Sequence, residues 1–276
     1  MSDGDFATAA PRPRHLGPEY ASQFADEEVA LAYGCRPPYP EEAARVVAGL
    51  MRGPRRRVLE LGAGSGDFTV LLAPRVERVT AVEPAAAMRR IGERRTAGAG
   101  GRVEWRATSA EAFRPDHPHE LAVAAESLHW MEWEQVLPRI ADGLPPGGLL
   151  ALVDRTLAEA PPWEPELRRL IARASTNRHY RPLDLIAELE RRGLYRPAGE
   201  LQTEPQEFRQ SVRDYVESFH SRNGFSRARM APEAAEAFDS AVEALVVPHA
   251  PGGELRLRTT ATVSWGHPRR RAGVRP

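Results

Sequence analysis

The sequence predicts an α/β fold: a doubly wound, mostly parallel sheet of seven strands with an antiparallel edge strand and a helical lid. Between residues 57 and 154, short aliphatic runs alternate with helical stretches, which is typical of parallel strands covered on both faces. A glycine-rich turn follows the first of these runs, and beyond residue 154 the chain becomes polar and helical. A ligand-binding core followed by a lid is therefore expected.

Five core strands and two later strands are predicted along the chain. The core strands are RVLEL (57–61), RVTAVE (78–83), RVEWRA (102–107), ELAVAAE (120–126) and GGLLALVD (147–154), and the later ones are GELQTEPQEFRQ (199–210) and GELRLRTTATVSW (253–265). The last stretch alternates like an edge strand, and the helices between the two later strands are expected to form the lid. We therefore divide the chain into an N-terminal arm with helices (1–56, loose to about residue 18), the ligand-binding core (57–154), and a lid and substrate region with the final strands (155–276).

Composition excludes several classes of protein. The 276-residue chain has a formal net charge of zero and spreads its arginines along its whole length, so we expect neither a nucleic-acid partner nor a membrane partner. All 38 basic residues are arginine, which excludes phosphate-binding loops and Schiff-base chemistry that need lysine. A single cysteine and scattered histidines predict no metal site, and the N-terminus lacks a secretory pattern, so a cytoplasmic location is expected.

The glycine loop carries the main functional signal. Gly62, Gly64 and Gly66 lie between a strand and a helix, where bare backbone can approach a ligand closely, and Glu83 ends the next strand, where a carboxylate can bind ribose hydroxyls. A nicotinamide fingerprint needs glycine at position 67, which is Asp67 here. A carboxylate at that point repels a pyrophosphate but tolerates a cationic cofactor such as S-adenosylmethionine (SAM).

The motifs resemble those of class I SAM-dependent methyltransferases, which have a Rossmann-like fold. VLELGAGSG resembles their first motif, VTAVEPAAAM the second, ATSAEAF the third, ELAVAAESLHWM the motif at the fourth strand, and LPPGGLLALV the turn before the fifth. The pairing of RPPYP with a later LHW is similar to the branch of trans-aconitate methyltransferases, whose members methylate small carboxylic acids and other metabolites. The resemblance covers about 120 positions and implies SAM as the cofactor.

The resemblance also implies which residues contact SAM. Glu83 matches the acid that holds both ribose hydroxyls, Met88 packs on adenine, Ala110 borders it, and Arg36 reaches the methionine carboxylate. Ser109 stands where many relatives have Asp, so base recognition is expected to differ. The remaining implied cofactor residues are Glu60, Pro84, Glu111 and Glu126, the last as a wall of the site.

Methyl transfer needs alignment and exclusion of water, and a general base only when the acceptor must lose a proton. His129 follows the fourth strand at the sheet edge where ligands bind, so it is the candidate base; alternatively it caps a helix or orients a neighbour. Candidate substrate residues are Tyr39, Trp130, Asn177, His179, Tyr180, His220 and Asn223, with packing, capping or solvation as the alternative role of each.

The sequence thus predicts an enzyme, a SAM-dependent methyltransferase that modifies oxygen, nitrogen or carbon of a small-molecule acceptor. Two alternatives remain, an NAD-linked oxidoreductase and a non-catalytic SAM-binding protein. The missing glycine at position 67 argues against the oxidoreductase. The intact glycine loop with Glu83 argues for ligand binding, whether the protein is a methyltransferase or a non-catalytic SAM-binding protein. The identity of the acceptor and the oligomeric state are left open.

Overall fold

A computed structural model describes residues 12–269 and contains one eight-stranded sheet. Its strands are β1 (Arg57–Leu61), β2 (Arg78–Val82), β3 (Val103–Arg106), β4 (Leu121–Ala125), β5 (Leu149–Leu157), β6 (Tyr195–Gln202), β7 (Gln206–Ser211) and β8 (Glu254–Pro268). Strands β1 to β5 are parallel and lie in the order β3-β2-β1-β4-β5. The chain runs outward from β1 to β3 and returns to β4 on the other side of β1, so a topological switch point lies between β1 and β4.

The antiparallel part of the sheet is built on β8. Fifteen residues make β8 long enough to pair with β5 on one side and with both β6 and β7 on the other. The predicted strand 199–210 is broken between Gln202 and Gln206, around Pro205, which has no N–H for a ladder. The doubly wound α/β fold is confirmed, with eight strands instead of seven, and β8 lies inside the sheet instead of at its edge.

Ten α-helices accompany the sheet within residues 12–269. They are α1 (Pro18–Ala21), α2 (Glu27–Ala32), α3 (Glu41–Gly49), α4 (Thr69–Leu72), α5 (Ala86–Thr96), α6 (Trp133–Gly143), α7 (Glu164–Ala174), α8 (Leu185–Arg191), α9 (Val212–His220) and α10 (Pro232–Val246). No helix in this part of the chain combines the length and the apolar character that crossing a bilayer requires.

Helices cover both faces of the sheet. On one face, Val47 of α3 and Leu72 of α4 pack with alternate strand residues such as Val58. On the other face, α6 packs together with α8, whose Leu189 is fully buried. Helix α8 belongs to the predicted lid and substrate region (155–276), and its apolar side and the ion pair between Arg192 and Glu134 hold it beside α6.

The lid has a core of its own. Helices α7, α9 and α10 pack around Trp163, Phe219 and Phe238, and the first half of β8 contributes Leu255 to the same cluster. The Trp163 indole N–H donates to the Tyr215 hydroxyl at 2.9 Å inside this cluster. The lid therefore rests on the antiparallel end of the sheet and stands next to the carboxyl ends of β4 and β5.

The N-terminal segment differs from the loose arm predicted for residues 1–18. Residues 1–11 and 270–276 lie outside the described part of the chain, but from residue 12 onward the N-terminal segment forms short helical turns. His15 and Leu16 are buried, and Arg12 Nη1 donates to the carbonyls of Trp130 at 2.8 Å and Met131 at 2.7 Å. The proline and glycine content of this segment predicted an irregular, loose chain. The long-range contacts hold the segment in place instead.

Candidate active site

The glycine loop uses the conformational freedom of its three glycines. Gly62, Gly64 and Gly66 have φ values of 64°, 57° and 78°, in the left-handed region that other residues rarely adopt. A Cβ on Gly62 would lie 2.6 Å from Cβ of Ser127, and one on Gly66 would lie 3.1 Å from Cα of Gly92. A Cβ on Gly64 would meet nothing within 4 Å. Two glycines therefore allow close packing, and the middle one leaves bare backbone facing open space.

Glu83 connects the end of β2 to this loop. Its Oε2 accepts a hydrogen bond from the backbone N–H of Gly64 at 2.8 Å, and its Oε1 accepts one from Ala85 at 2.8 Å. Only 7% of the residue is exposed, and burial raises the pKa of Glu83 although these two amides favour the ionised form. Each carboxylate oxygen keeps lone pairs that can accept ribose hydroxyls.

Glu60 lies beneath the loop, and in the part of the chain that the structure describes one oxygen of its buried carboxylate has no partner. It is 1% exposed, and its Oε2 has no hydrogen-bond partner within the described residues. The same holds for the buried hydroxyl of Ser65, whereas the Thr69 hydroxyl is close enough to Glu60 to favour its ionised form. Burial raises the pKa of Glu60 to about 8. An acid that is costly to ionise in isolation favours a cation nearby, such as the ammonium of SAM.

The predicted adenine side comes from β3 and the following turn. Met88 is buried against Val29 and Ala30, and Ala110 is also buried, whereas Pro84 is exposed. The Ser109 hydroxyl accepts from the Ala112 N–H at 3.3 Å, so it closes its own turn. In the same turn, Glu111 Oε1 accepts from the backbone N–H of Glu132 at 3.0 Å. Glu111 therefore connects this turn to the start of α6.

Glu126 lies at the carboxyl end of β4 between two arginines. Its Oε2 accepts from Arg36 Nη1 at 2.9 Å, and its Oε1 lies 3.2 Å from Nε of Arg155. Burial alone would raise the pKa of Glu126, but Arg155 and Arg36 together lower it below the usual value. Its φ of 49° is unusual for a residue with a side chain, and such backbone strain is often found at functional sites.

Arg155 is a site residue that sequence reasoning missed. Its guanidinium stacks 4.1 Å above the Tyr39 ring, and Nη1 donates to the Pro37 carbonyl at 2.7 Å. Tyr39 itself is buried and packs edge-on against Phe68, so it supports the site from below. One feature of the sequence could have indicated Arg155. It belongs to a charged pair that directly follows the apolar run of β5, at the edge of the sheet where ligands bind.

His129 lies in a 3-10 turn, Leu128–Trp130, just after β4. Its ring contacts the Trp130 ring with centroids 4.9 Å apart, and Trp130 packs edge-on against Phe24 of the N-terminal segment at 5.1 Å. Burial lowers the pKa of His129 to about 4, although Glu126 opposes this change. His129 is therefore neutral at neutral pH.

Four predicted substrate residues lie where the lid meets the N-terminal segment. Asn177 Nδ2 donates to Asn223 Oδ1 at 2.5 Å, and Asn223 Nδ2 donates to the Tyr20 carbonyl at 3.1 Å. His179 Nδ1 is 2.7 Å from the Tyr20 hydroxyl. Tyr180 is 62% exposed, with its ring edge-on to His15. These side chains join the lid to the N-terminal segment.

His220 is placed elsewhere, inside the lid. It is 2% exposed, its Nδ1 is 2.7 Å from the Phe225 carbonyl, and its Nε2 is 2.6 Å from Asp239 Oδ1. Both ring nitrogens are thus used within the lid.

Asp67, the residue whose charge argued against a pyrophosphate, forms an ion pair with Arg95, so part of its charge is neutralised.

The polar groups of the site fit SAM. Gly64 leaves bare backbone at the loop, Glu60 offers an unsatisfied buried acid, and Glu83 ends β2 with spare acceptor capacity. The side chain that faces the loop is acidic rather than basic, which suits a cofactor that carries an ammonium and a sulfonium. The fold and the polar groups of the site are those expected of a class I SAM-dependent methyltransferase.

Comparisons with known proteins agree with this class. Residues 58–148 match the sequence profile of a family described as methyltransferase domain. Two curated relatives are an uncharacterized methyltransferase of Mycobacterium bovis, 35% identical over 138 residues, and a trans-aconitate 2-methyltransferase of Streptomyces avermitilis, 34% identical over 119 residues. The matches cover 50% and 41% of this chain and 54% and 44% of the relatives, so the chain spans about half the length of the curated relatives it matches.

Solved structures share the fold over most of the chain. A putative type II methyltransferase from Anaeromyxobacter dehalogenans has a TM-score of 0.58 and 25% identity, with 84% of this chain and 96% of that chain covered. A putative methyltransferase from Bacillus halodurans has a TM-score of 0.51 and 15% identity, with 83% and 98% covered. Residues 58–148 therefore carry a methyltransferase domain, which confirms the predicted resemblance to methyltransferases and implies SAM as the cofactor.

Proposed function

We propose that this protein transfers the methyl group of SAM to a small-molecule acceptor. The observation that carries the proposal is the hydrogen bond between Glu83 and the Gly64 amide, which sets an acid beside bare backbone at the switch point of the sheet. Ligands of open α/β sheets bind at this point. The lid and the N-terminal segment cover the same edge, which favours a small acceptor over a polymer.

Each cofactor residue has a separate role in the proposed mechanism. Glu83 accepts hydrogen bonds from the ribose hydroxyls, Glu60 faces the ammonium, and Arg36 faces the methionine carboxylate. When bound, SAM supplies a methyl carbon already activated by its sulfonium. The chain contributes alignment of the acceptor and exclusion of water by Trp130 and the covering segment.

Charge supports a small molecule over a nucleic acid. The chain has a formal net charge of zero, and many of its arginines form ion pairs with acids of the same chain, as Arg192 does with Glu134. Binding to a phosphate backbone depends on an excess of basic side chains along one surface. The name of the Streptomyces relative, trans-aconitate 2-methyltransferase, points to a small acid in that protein.

His129 is proposed to face the acceptor as a weak base. It is neutral at neutral pH, so its ring can accept a hydrogen bond or a proton from the acceptor. General-base catalysis is most effective when the pKa of the base is close to the working pH. A pKa of about 4 therefore suits an acceptor whose attacking atom is already anionic or loses its proton easily.

Two measurements test the function. Titration calorimetry with SAM and separately with NAD tests the cofactor, and we expect heat of binding from SAM alone. Release of S-adenosylhomocysteine (SAH) in the presence of a panel of small acids, alcohols and amines tests turnover. Binding of NAD instead of SAM would support the oxidoreductase alternative. Tight SAM binding with no SAH release from any acceptor would support a non-catalytic SAM-binding protein.

A further inference from the structure

Arg36 is held by side chains from two parts of the fold. Its Nε donates to the Ser221 hydroxyl at 3.0 Å, and its Nη1 donates to Glu126 Oε2 at 2.9 Å. Its guanidinium also lies 4.6 Å from the centre of the Tyr33 ring. Ser221 follows α9 of the lid, whereas Glu126 follows β4 of the core. The lid and the core therefore bind the same guanidinium group.

The two hydrogen bonds determine where the third nitrogen of Arg36 points. A guanidinium is planar and rigid, so bonds at Nε and Nη1 fix its plane and with it the direction of Nη2. None of the hydrogen bonds among residues 12–269 uses Nη2 of Arg36, and 18% of the side chain is exposed. Nη2 is therefore the donor that the protein leaves for a ligand.

The backbone on either side of Arg36 is fixed separately. Gln210, at the end of β7, donates from Nε2 to the Cys35 carbonyl at 2.5 Å. Arg155, on β5, donates from Nη1 to the Pro37 carbonyl at 2.7 Å. These bonds hold the segment whether or not the Arg36 side chain is restrained. Loss of the Ser221 hydroxyl would therefore release the guanidinium without displacing the chain that carries it.

Ser221 is itself oriented to accept from Arg36. It is fully buried, and its Oγ donates to the Ser218 carbonyl at 2.6 Å. Because a hydroxyl has one proton, and the carbonyl takes it, the oxygen can only accept from the Arg36 Nε–H. The preceding residue, His220, anchors this end of α9, with Nε2 2.6 Å from Asp239 Oδ1 on α10. The lid thus presents a fixed acceptor to Arg36.

We propose that Ser221 positions Arg36 to bind the methionine carboxylate of SAM, so that the lid is part of the cofactor site. The proposal rests on the proposed function, which assigns Arg36 to that carboxylate. Ser221 contacts neither the cofactor nor the acceptor in this role, so it is a positioning residue. A donor that is already oriented loses less entropy on binding, and the Ser221 hydroxyl therefore strengthens SAM binding through Arg36.

The test compares SAM with decarboxylated SAM, which keeps the ammonium and the sulfonium but lacks the carboxylate. Calorimetry measures both affinities in the unmodified protein, in Ser221→Ala and in a control, Ser218→Ala. The control removes another buried hydroxyl of α9, one that donates to the Tyr215 carbonyl within the helix. We expect Ser221→Ala to bind SAM roughly 5- to 20-fold more weakly and decarboxylated SAM within about twofold of the unmodified protein. Ser218→Ala should change neither affinity.

A double-mutant cycle tests whether Ser221 acts through Arg36. Arg36→Gln removes the charged donor, so we expect SAM to bind roughly 10- to 100-fold more weakly. Adding Ser221→Ala to Arg36→Gln should then have no further effect on SAM affinity. Ser221→Cys is a second variant of similar volume whose thiol accepts hydrogen bonds only weakly. It should repeat the effect of Ser221→Ala without leaving a cavity.

The comparison of the two ligands separates positioning from a structural role. An equal loss of affinity for SAM and decarboxylated SAM in the Ser221 variants would overturn the proposal. Unchanged SAM affinity, or an effect of Ser221→Ala that persists beside Arg36→Gln, would overturn it as well. The same holds if the unmodified protein binds SAM no more tightly than decarboxylated SAM. Failure of the unmodified protein to bind either ligand would contradict the proposed function, and this proposal with it.

Discussion

Glu83 and Gly64 are joined by a hydrogen bond of 2.8 Å from the backbone amide of the glycine to the carboxylate of the acid. This contact fixes the glycine loop after β1 to the end of β2, 19 positions apart in sequence. The second oxygen of Glu83 is held by the amide of Ala85. The acid is therefore oriented before any ligand arrives, which reduces the entropy lost on binding.

Gly62 and Gly64 should respond differently to alanine. At Gly62 a Cβ would lie 2.6 Å from Ser127, in addition to the left-handed backbone, so we expect Gly62→Ala to lower the free energy of unfolding by more than about 2 kcal/mol. At Gly64 only the backbone cost of roughly 1 kcal/mol applies, but the new methyl group faces the ligand, so SAM affinity should fall at least tenfold.

Chemical denaturation and SAM titration of both variants check this contrast. Gly98→Ala is the matched control, because that glycine is exposed and its Cβ would meet nothing within 4 Å. We expect the control to match the unmodified protein in both measurements. Unchanged SAM affinity in Gly64→Ala would show that the loop does not contact the cofactor.

SAM binding should release a proton from Glu60. With a pKa of about 8, this acid is mostly protonated at pH 7 in the free protein. A cofactor ammonium beside it favours the ionised form, so binding at pH 7 should release a proton. Calorimetry in phosphate and in Tris measures the released protons from the difference in heat. Glu60→Gln should abolish the release, and proton release that persists in this variant would assign it to another group.

Stability should depend on pH through His119, which lies just before β4. It is 1% exposed with Nε2 2.9 Å from the Thr80 hydroxyl, and burial, with a smaller effect of His117, lowers the pKa of His119 to about 4. The unfolded chain takes up this proton near pH 6.5, whereas the folded protein does not until about pH 4. The folded protein therefore loses stability as the pH falls through this window.

The expected contribution is about 1.4 kcal/mol of unfolding free energy per pH unit, from one proton. His119→Gln keeps a hydrogen-bonding group but cannot titrate, so the pH dependence between 6.5 and 4 should become shallower by about one proton. The exposed His249→Gln serves as the control and should keep the full slope. Denaturant titrations at several pH values measure the slopes, and identical slopes in all three proteins would contradict the assignment.

His129→Gln tests the weak-base role. Because the pKa of His129 is about 4, we expect the variant to lose less than about tenfold in kcat for an acidic acceptor. SAM affinity should stay within about twofold, since the assigned cofactor contacts lie elsewhere. A loss of 100-fold or more at unchanged SAM affinity would show that His129 takes a proton in the transition state. Steady-state kinetics with SAH detection measures both quantities.

The parallel core and the glycine loop were predictable because their signals are local. An apolar run followed by glycines and a strand ending in Glu83 specify the turn and its acid within about 25 residues. The position of β8 was not predictable in this way, because its pairing with both β5 and β6 depends on strands far apart in the sequence. The alternation of polar and apolar residues along β8 indicates only which side chains are buried, not which strands pair with it.

The missed residue is one whose role depends on tertiary contacts. Arg155 looks like an ordinary surface arginine in the sequence, and only the folded chain brings it to Glu126 at the end of β4. Conversely, His220 has the composition of a substrate residue but uses both nitrogens inside the lid. Residue type predicts chemistry, whereas the packing of neighbours decides whether a side chain faces the ligand.

The most direct test of the account is the SAM affinity of Glu83→Gln, measured by calorimetry beside the unmodified protein and the control Glu77→Gln, whose side chain is half exposed before β2. Glutamine keeps the size of the side chain but removes its charge and one acceptor, so we expect SAM to bind roughly 10- to 100-fold more weakly. The control should bind SAM as the unmodified protein does. Equal SAM affinity in all three proteins would contradict the assignment of Glu83 to the cofactor.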